Sequence, residues 1–89
     1  MIVDFYGTYC GPCKMLEPVF DKLSKAYAGK LEFAKVCADD NPDLSAEHSV
    51  FSVPCLIVFK EGKELERIIG YAGEETLKKR IDEILAKAK

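Results

Sequence analysis

The sequence Cys-Gly-Pro-Cys at residues 10–13 constrains the fold of this chain more than any other feature. It follows an apolar run at residues 1–6, which is typical of a strand, and precedes an amphipathic run, which is typical of a helix. If the helix begins at Gly11 or Pro12, Cys10 lies at its N-terminus, where free N–H groups and the helix dipole favour a thiolate. Cys13 follows at i+3 on the same face, close enough to close a small ring. The arrangement suits reversible disulfide chemistry.

Composition excludes several classes of protein. The 89 residues are enough for one domain, residues 1–89, and they are 48% hydrophobic with a formal charge of -2. There is no basic cluster, so we expect no nucleic-acid partner. The apolar stretches are shorter than a bilayer span and no signal-like segment occurs, so we expect no membrane partner. Two of the four cysteines, Cys37 and Cys55, are isolated in strand-like segments, which favours an intracellular, cytoplasmic redox protein over a secreted disulfide framework.

Strand and helix patterns alternate along the chain. The hydrophobic spacing predicts strands at residues 2–6, 31–37, 55–59 and about 64–69. It predicts helices at about residues 12–27, with Gly29 as the stop, at residues 42–48, and at a closing segment from Leu77 to Ala88. The order βαβαββα predicts an α/β fold with a four-stranded mixed sheet, parallel at its start and antiparallel at its end. Right-handed crossovers place helices on both faces.

The chain closely resembles the thioredoxin family. The motifs that carry the resemblance keep the family's order through almost the whole chain: residues 3–6, residues 9–15, Pro18, Asp39, Asn41-Pro42, Val53-Pro54, Phe59-Lys60, Gly62 and Gly70. A CxxC alone is a weak signal, but CGPC with a matching proline some forty residues later is a strong one. The chain begins at the family's central strand and lacks the usual first strand and helix, which gives it a short, glutaredoxin-like core. Tyr6 and Tyr9 stand where thioredoxins usually carry tryptophan.

The resemblance implies a protein-disulfide reductase that uses the Cys10/Cys13 dithiol-disulfide couple. Cys10 would attack a client disulfide and Cys13 would release the reduced client. We expect Cys10 to be the more exposed and more acidic thiol. The resemblance assigns Asp4 as proton acceptor for Cys13, through water, with Lys35 near it. It implies disulfide-containing clients and a reductase as electron donor, and no cofactor beyond the redox-active disulfide.

The same resemblance implies a client-binding surface around Pro54. The family places a cis-proline at this position, facing the CxxC, and the backbone of Val53 would offer hydrogen bonds to an extended client segment. An apolar rim would surround it, formed by Tyr9, Gly11, Pro12, Phe51, Val53, Gly70 and Tyr71. Each of these residues taken alone is also compatible with ordinary surface or core, and for Phe51 and Tyr71 the two interpretations have about equal weight.

Other functions and sites remain open from the sequence. The short length suggests a glutaredoxin-like, glutathione-linked reductase, although residues 70–74 do not match that family's glutathione-binding pattern. A non-catalytic client-binding module is a second alternative, which the intact CxxC disfavours. The four cysteines have the count for tetrahedral zinc but not the spacing, so we predict no metal site and expect Cys37 and Cys55 to be buried. His48 is expected at a helix end.

The predicted strand at residues 31–37 is expected at the edge of the sheet. The family's strand order would place the absent first strand beside it, so the order here should be second, first, third, fourth. A bare edge presents unpaired N–H and C=O groups and tends to recruit another strand. Glu32 and Lys35 give it modest protection. We therefore expect a monomer that forms a weak edge-strand dimer at high concentration.

Overall fold

The computed structural model describes residues 1–87, and the predicted end of the last helix at Ala88 lies outside the described residues. The predicted order βαβαββα is confirmed. The elements are β1 (Ile2–Tyr6), α1 (Gly11–Ala26), β2 (Phe33–Cys37), α2 (Pro42–Glu47), β3 (Cys55–Lys60), β4 (Lys63–Ile69) and α3 (Glu74–Lys87).

The four strands form one mixed sheet in the order β2-β1-β3-β4. β1 runs parallel to β2, with Asp4 opposite Lys35, and β3 is antiparallel to both β1 and β4. The predicted parallel start, antiparallel end and strand order are therefore confirmed. Within residues 1–87, β2 has one strand neighbour, β1, and the other side of β2 is an edge.

Hydrophobic side chains alternate between the two faces of the sheet, as the twofold period of strands requires. The face covered by α1 and α3, called the α1 face below, holds the larger core, which includes Ile2, Leu56 and Val58. The face covered by α2 holds a smaller core, which includes Val3, Phe5, Val50, Cys55 and Ile57. Asp4 has the parity of Ile2, so its carboxyl group points toward the α1 face.

The second strand begins two residues later than the sequence pattern predicts. The backbone N–H of Leu31 donates to the carbonyl of Tyr27, at the C-terminal end of α1, over 3.0 Å. Because of that bond, Leu31 belongs to the turn that follows α1. The residues of β2 that pair with β1 therefore begin at Phe33. The difference is one of local hydrogen bonding and does not alter which side chains share a face.

None of the helices in the described part of the chain is both long enough and apolar enough to cross a membrane.

Candidate active site

The two cysteines of the CGPC sequence lie where β1 gives way to α1. Cys10 is the N-cap residue of α1, with an extended backbone, and its Sγ accepts a hydrogen bond from the Cys13 N–H over 3.1 Å. The two sulfurs form a disulfide. Cys10 is 9% exposed and Cys13 is 5% exposed, so the expected difference has the predicted direction but is small. Both sulfurs are largely buried at the first turn of the helix.

The first turn of α1 is a favourable place for a thiolate. Its sixteen residues align their peptide dipoles toward Cys10, and the first turn contains no acidic residue. In the reduced protein the same Cys13 N–H would donate to the Cys10 sulfur. A charge-assisted hydrogen bond and the helix dipole then act on the same atom.

The peptide bond between Val53 and Pro54 is cis, as expected, and the preceding residue lies against the disulfide. The Val53 carbonyl oxygen is 3.7 Å from the Cys10 Sγ. On the other side, the Pro54 carbonyl accepts a hydrogen bond from the Gly70 N–H over 2.9 Å. Gly7 allows the close approach, because a Cβ atom there would lie 3.0 Å from Cγ2 of Val53. Three chain segments therefore meet around Cys10.

A side chain of β4 holds the turn that leads into this loop. Arg67 donates through Nη2 to the carbonyl of His48 over 2.8 Å and through Nη1 to the carbonyl of Ser49 over 3.2 Å. Glu64 orients the guanidinium, with its carboxylate accepting from Nε over 2.6 Å. Ser49 has a positive φ of 55°, so its turn conformation benefits from these extra bonds. No sequence pattern marks Arg67 as a residue that supports the site.

Asp4 is a buried acid on the α1 face. It is 3% exposed, and its Oδ1 has no hydrogen-bond partner within residues 1–87. Burial raises the pKa of Asp4 from 3.8 to about 6, and this desolvation outweighs the opposing attraction of Lys35; the charge of Glu17 adds to the increase. A carboxyl group with this pKa can accept and return a proton near neutral pH.

A cavity of about 370 Å³ connects Asp4 and Cys13 to the outside of the molecule. Its wall includes both side chains together with Lys35 and Cys37. Lys35 stands beside Asp4 in the strand register, but its ammonium group pairs with Asp21 at 2.8 Å. The cavity is large enough to hold water beside these side chains.

The predicted rim residues occupy different environments. Tyr9 is 97% exposed and Phe51 is 87% exposed, and Gly11 and Pro12 are also exposed. Tyr71 is half-buried and packs against the larger core. Ile69, which the sequence analysis missed, is an exposed apolar side chain directly before Gly70. Its signal was the alternation of β4, in which Ile68 packs inward and its neighbour must point outward.

The two other cysteines and the histidine lie in different environments. Cys55 is buried, and desolvation raises the pKa of its thiol. Cys37 is only half-buried, which differs from the expected burial, because β2 lies at the sheet edge. His48 follows the last residue of α2, and its ring contacts those of Phe5 and Phe59. No group of three or more metal-ligating side chains occurs within the described residues.

Comparisons with known proteins agree on one family. The family model described as Thioredoxin matches residues 1–83. A thioredoxin from Staphylococcus aureus is 42% identical over 84 residues, covering 94% of this chain and 81% of the relative. A solved structure of Plasmodium falciparum thioredoxin superposes with a TM-score of 0.85 at 34% identity, covering 92% of this chain and 82% of the other.

A second solved structure, from yeast, is also similar. It belongs to work on the thiol resolving mechanism of a mitochondrial 1-Cys peroxiredoxin via glutathione/thioredoxin systems. It superposes with a TM-score of 0.82 at 38% identity and covers 92% of this chain and 76% of the other.

Proposed function

This chain belongs to the thioredoxin family and is a thiol-disulfide oxidoreductase, and from that premise we propose that it acts as a protein-disulfide reductase. The observation that carries the proposal is the Cys10–Cys13 disulfide at the N-terminus of α1, with the carbonyl of Val53 3.7 Å from the Cys10 sulfur. A reactive sulfur next to a backbone carbonyl suits a client that binds as an extended segment on either side of its own disulfide.

The first step uses the reduced protein. The Cys10 thiolate attacks one sulfur of a client disulfide, so that a Cys10–client bond forms, the client's own S–S bond breaks and the second client sulfur leaves as a thiolate. The α1 dipole and the Cys13 N–H stabilise Cys10 as a thiolate before the attack and as a leaving group after it.

The second step uses Cys13 and Asp4. Asp4 takes the Cys13 proton through water in the shared cavity, and the Cys13 thiolate attacks the Cys10 sulfur. The Cys10–Cys13 bond forms, the Cys10–client bond breaks, and the client leaves as a dithiol that has gained two electrons. Because Cys13 is one helical turn from Cys10, a high effective concentration drives this step. Lys35 influences the step through its charge on Asp4.

We propose that clients bind beside the same sulfur. We assign backbone recognition to Val53 and Pro54 and apolar contact to Tyr9 and Phe51, whose rings are exposed beside the site. The remaining members assigned to this surface are Gly11, Pro12, Gly70 and Tyr71. An extended client segment gains main-chain hydrogen bonds from the loop and specificity from the exposed rings.

The proposal also covers the cell compartment, the electron donor and the cofactors. We place the protein in the cytoplasm as one domain that acts in electron transport and cell redox homeostasis. A reductase restores the Cys10/Cys13 dithiol, and neither a metal nor an organic cofactor takes part. The match of residues 1–83, which include the CGPC sequence, to the thioredoxin family supports these assignments.

Trapping of clients tests the two steps. In Cys13→Ser the attack by Cys10 survives while release is lost, so mixed disulfides with a disulfide-containing test protein should accumulate. Cys10→Ser should form none, and Cys37→Ser should behave like the wild type. Failure of folded Cys13→Ser to trap the test protein contradicts the scheme.

The reduction potential tests the direction of exchange. We expect the Cys10/Cys13 couple near the roughly -270 mV of thioredoxin, well below the roughly -120 mV of a strong oxidant. Equilibration with a glutathione or dithiothreitol redox buffer, followed by alkylation and mass spectrometry, measures it. A value close to that of the oxidant would reverse the assigned direction.

A further inference from the structure

Cys37 is a free thiol that the redox cycle of Cys10 and Cys13 does not use. It is the last residue of β2 and lies on the α1 face, with the parity of Phe33 and Lys35. It lines the same cavity as Cys13 and Asp4. Its Sγ is 3.8 Å from the Thr8 hydroxyl oxygen, and either group can donate to the other.

The second observation is a buried carboxyl group in the wall of this cavity. Asp4 is almost wholly buried, it lines the cavity, and its Oδ1 has no hydrogen-bond partner within residues 1–87. A buried carboxylate oxygen without a partner favours a hydrogen-bond donor from water or from a bound group. The cavity volume of about 370 Å³ is at the lower end of the range for small-molecule sites.

Accessibility distinguishes Cys37 from the other free thiol. Cys55 is 1% exposed within the core of the opposite sheet face, whereas Cys37 is half-buried at the sheet edge. When Cys10 and Cys13 are joined as a disulfide, Cys37 is therefore the free thiol that a small reagent can reach.

We propose that Cys37 is a modification site for low-molecular-weight disulfides, and that the adduct occupies the cavity between Cys37, Asp4 and Cys13. The Cys37 thiolate attacks a disulfide RSSR, so that a Cys37–S–SR bond forms, the RS–SR bond breaks and one RS⁻ leaves with the electron pair. The oxidant is the small disulfide itself, and the net oxidation state of the Cys10/Cys13 couple does not change.

The cavity wall also indicates the charge of the reagent. It carries three carboxyl groups and two ammonium groups: those of Asp4, Glu17, Asp40, Lys14 and Lys35. The acids outnumber the bases, so the site favours a small disulfide without net negative charge. We therefore expect cystamine, which carries two ammonium groups, to react faster than glutathione disulfide, which is an anion.

The adduct inhibits the enzyme through its position. It displaces the water between Asp4 and solvent, so Asp4 can no longer take the Cys13 proton. This part rests on the proposed function, since it assumes that Cys13 releases the client with the help of Asp4. The first step at Cys10 should continue, because the client binds at Val53, where the Cys10 sulfur lies, and not at the cavity.

The chemical part of the proposal is tested on the oxidised protein. After treatment with cystamine, intact-mass and peptide mass spectrometry should find one adduct, on Cys37. Cys37→Ser should take up none, and Cys55→Ala should take up one, as the matched control. An adduct on Cys55, no adduct at all, or faster reaction with glutathione disulfide overturns the proposal.

The functional part uses a stable substitute for the adduct. The oxidised protein is alkylated with N-ethylmaleimide, its active-site disulfide is reduced, and client release is measured in a single turnover. We expect release to slow about tenfold, a modest share of what a general base supplies. Alkylation of Cys37→Ser should leave release unchanged. Equal rates for labelled and unlabelled wild type overturn the inhibition.

Two further measurements locate the effect. In Cys13→Ser, Cys10 is first protected as a mixed disulfide with the test client, so that N-ethylmaleimide alkylates Cys37, and reduction then frees Cys10. The rate of new mixed-disulfide formation should be unchanged, and a slower rate would mean that the adduct blocks client binding instead, which contradicts the proposal. In Asp4→Ala, alkylation should cause no additional slowing, because the group it isolates is already gone. Unlabelled wild type that reduces no client refutes the proposed function, while the mass measurement still decides whether Cys37 is modified.

Discussion

Replacement of Asp4 by alanine is expected to stabilise the folded protein at neutral pH and to slow its chemistry. Burial raises the pKa of Asp4 from 3.8 to about 6. Each pKa unit corresponds to about 1.4 kcal/mol, so the ionised carboxylate destabilises the folded state by about 3 kcal/mol. Asp4→Ala removes this penalty, together with the small packing contribution of the side chain.

The pH dependence gives the sign of the effect. The pKa of Asp4 is higher in the folded protein than in the unfolded chain. At pH values between the two pKa values the folded protein therefore binds more protons than the unfolded chain, and wild-type stability falls as pH rises. The penalty is absent below about pH 4, grows up to about pH 6 and is complete above it. The stability difference between Asp4→Ala and wild type should therefore rise by about 2.4 kcal/mol from pH 4 to pH 7.

Urea unfolding of the oxidised proteins at several pH values measures this difference. Asp40→Ala is the matched control, since it removes an exposed carboxylate of the same cavity and should change stability by only about 0.5 kcal/mol. In single-turnover assays Asp4→Ala should release client on the order of a hundredfold more slowly, at the lower end of what a general base supplies. A stability difference that stays constant from pH 4 to pH 7 refutes the burial penalty, and an equally fast release refutes the catalytic role.

Three further outcomes are expected. Lys35→Met should raise the pKa of Asp4 and Glu17→Gln should lower it, because their charges act on it in opposite directions; carboxyl NMR titration measures both, and shifts of equal sign contradict the electrostatic account. Arg67→Gln should lower the free energy of unfolding by about 1–3 kcal/mol through two unpaired carbonyls, with Arg67→Lys recovering only part of it; full recovery would show that charge, and not the forked hydrogen bonding, is what matters. Sedimentation should show a monomer at low concentration and weak dimers at high concentration through the free edge of β2, which a strict monomer at millimolar concentration would rule out.

The sequence predicts the fold well because its elements have clear periods. The order of elements and the position of Cys10 at the start of α1 follow from hydrophobic spacing and the CGPC sequence, whereas the strand order follows from the resemblance to the thioredoxin family. The start of β2 does not, because a single backbone bond from Leu31 to the end of α1 decides it. Local exchange of hydrogen-bond partners leaves no trace in hydrophobic spacing.

The site is only partly predictable for a similar reason. Asp4 is conspicuous as a carboxylate in an apolar strand, but the absence of a partner for Oδ1 depends on packing. Arg67 is invisible in the sequence because its role depends on which carbonyls of the preceding turn face β4. The parity of β2 places Cys37 beside Lys35, yet only the structure shows that the space between β2 and α1 is open there.

The missing side chain of Gly7 sets the width of the cleft in which clients would lie. A single added methyl group would lie 3.0 Å from Cγ2 of Val53, closer than ordinary contact distance, so Val53 would have to shift by a few tenths of an ångström. Position 7 therefore acts as a spacer between the sulfur and the carbonyl that would bind a client strand. A substitution at this one position can therefore change the width of the cleft around a bound strand while every cysteine, acid and exposed ring of the site is kept.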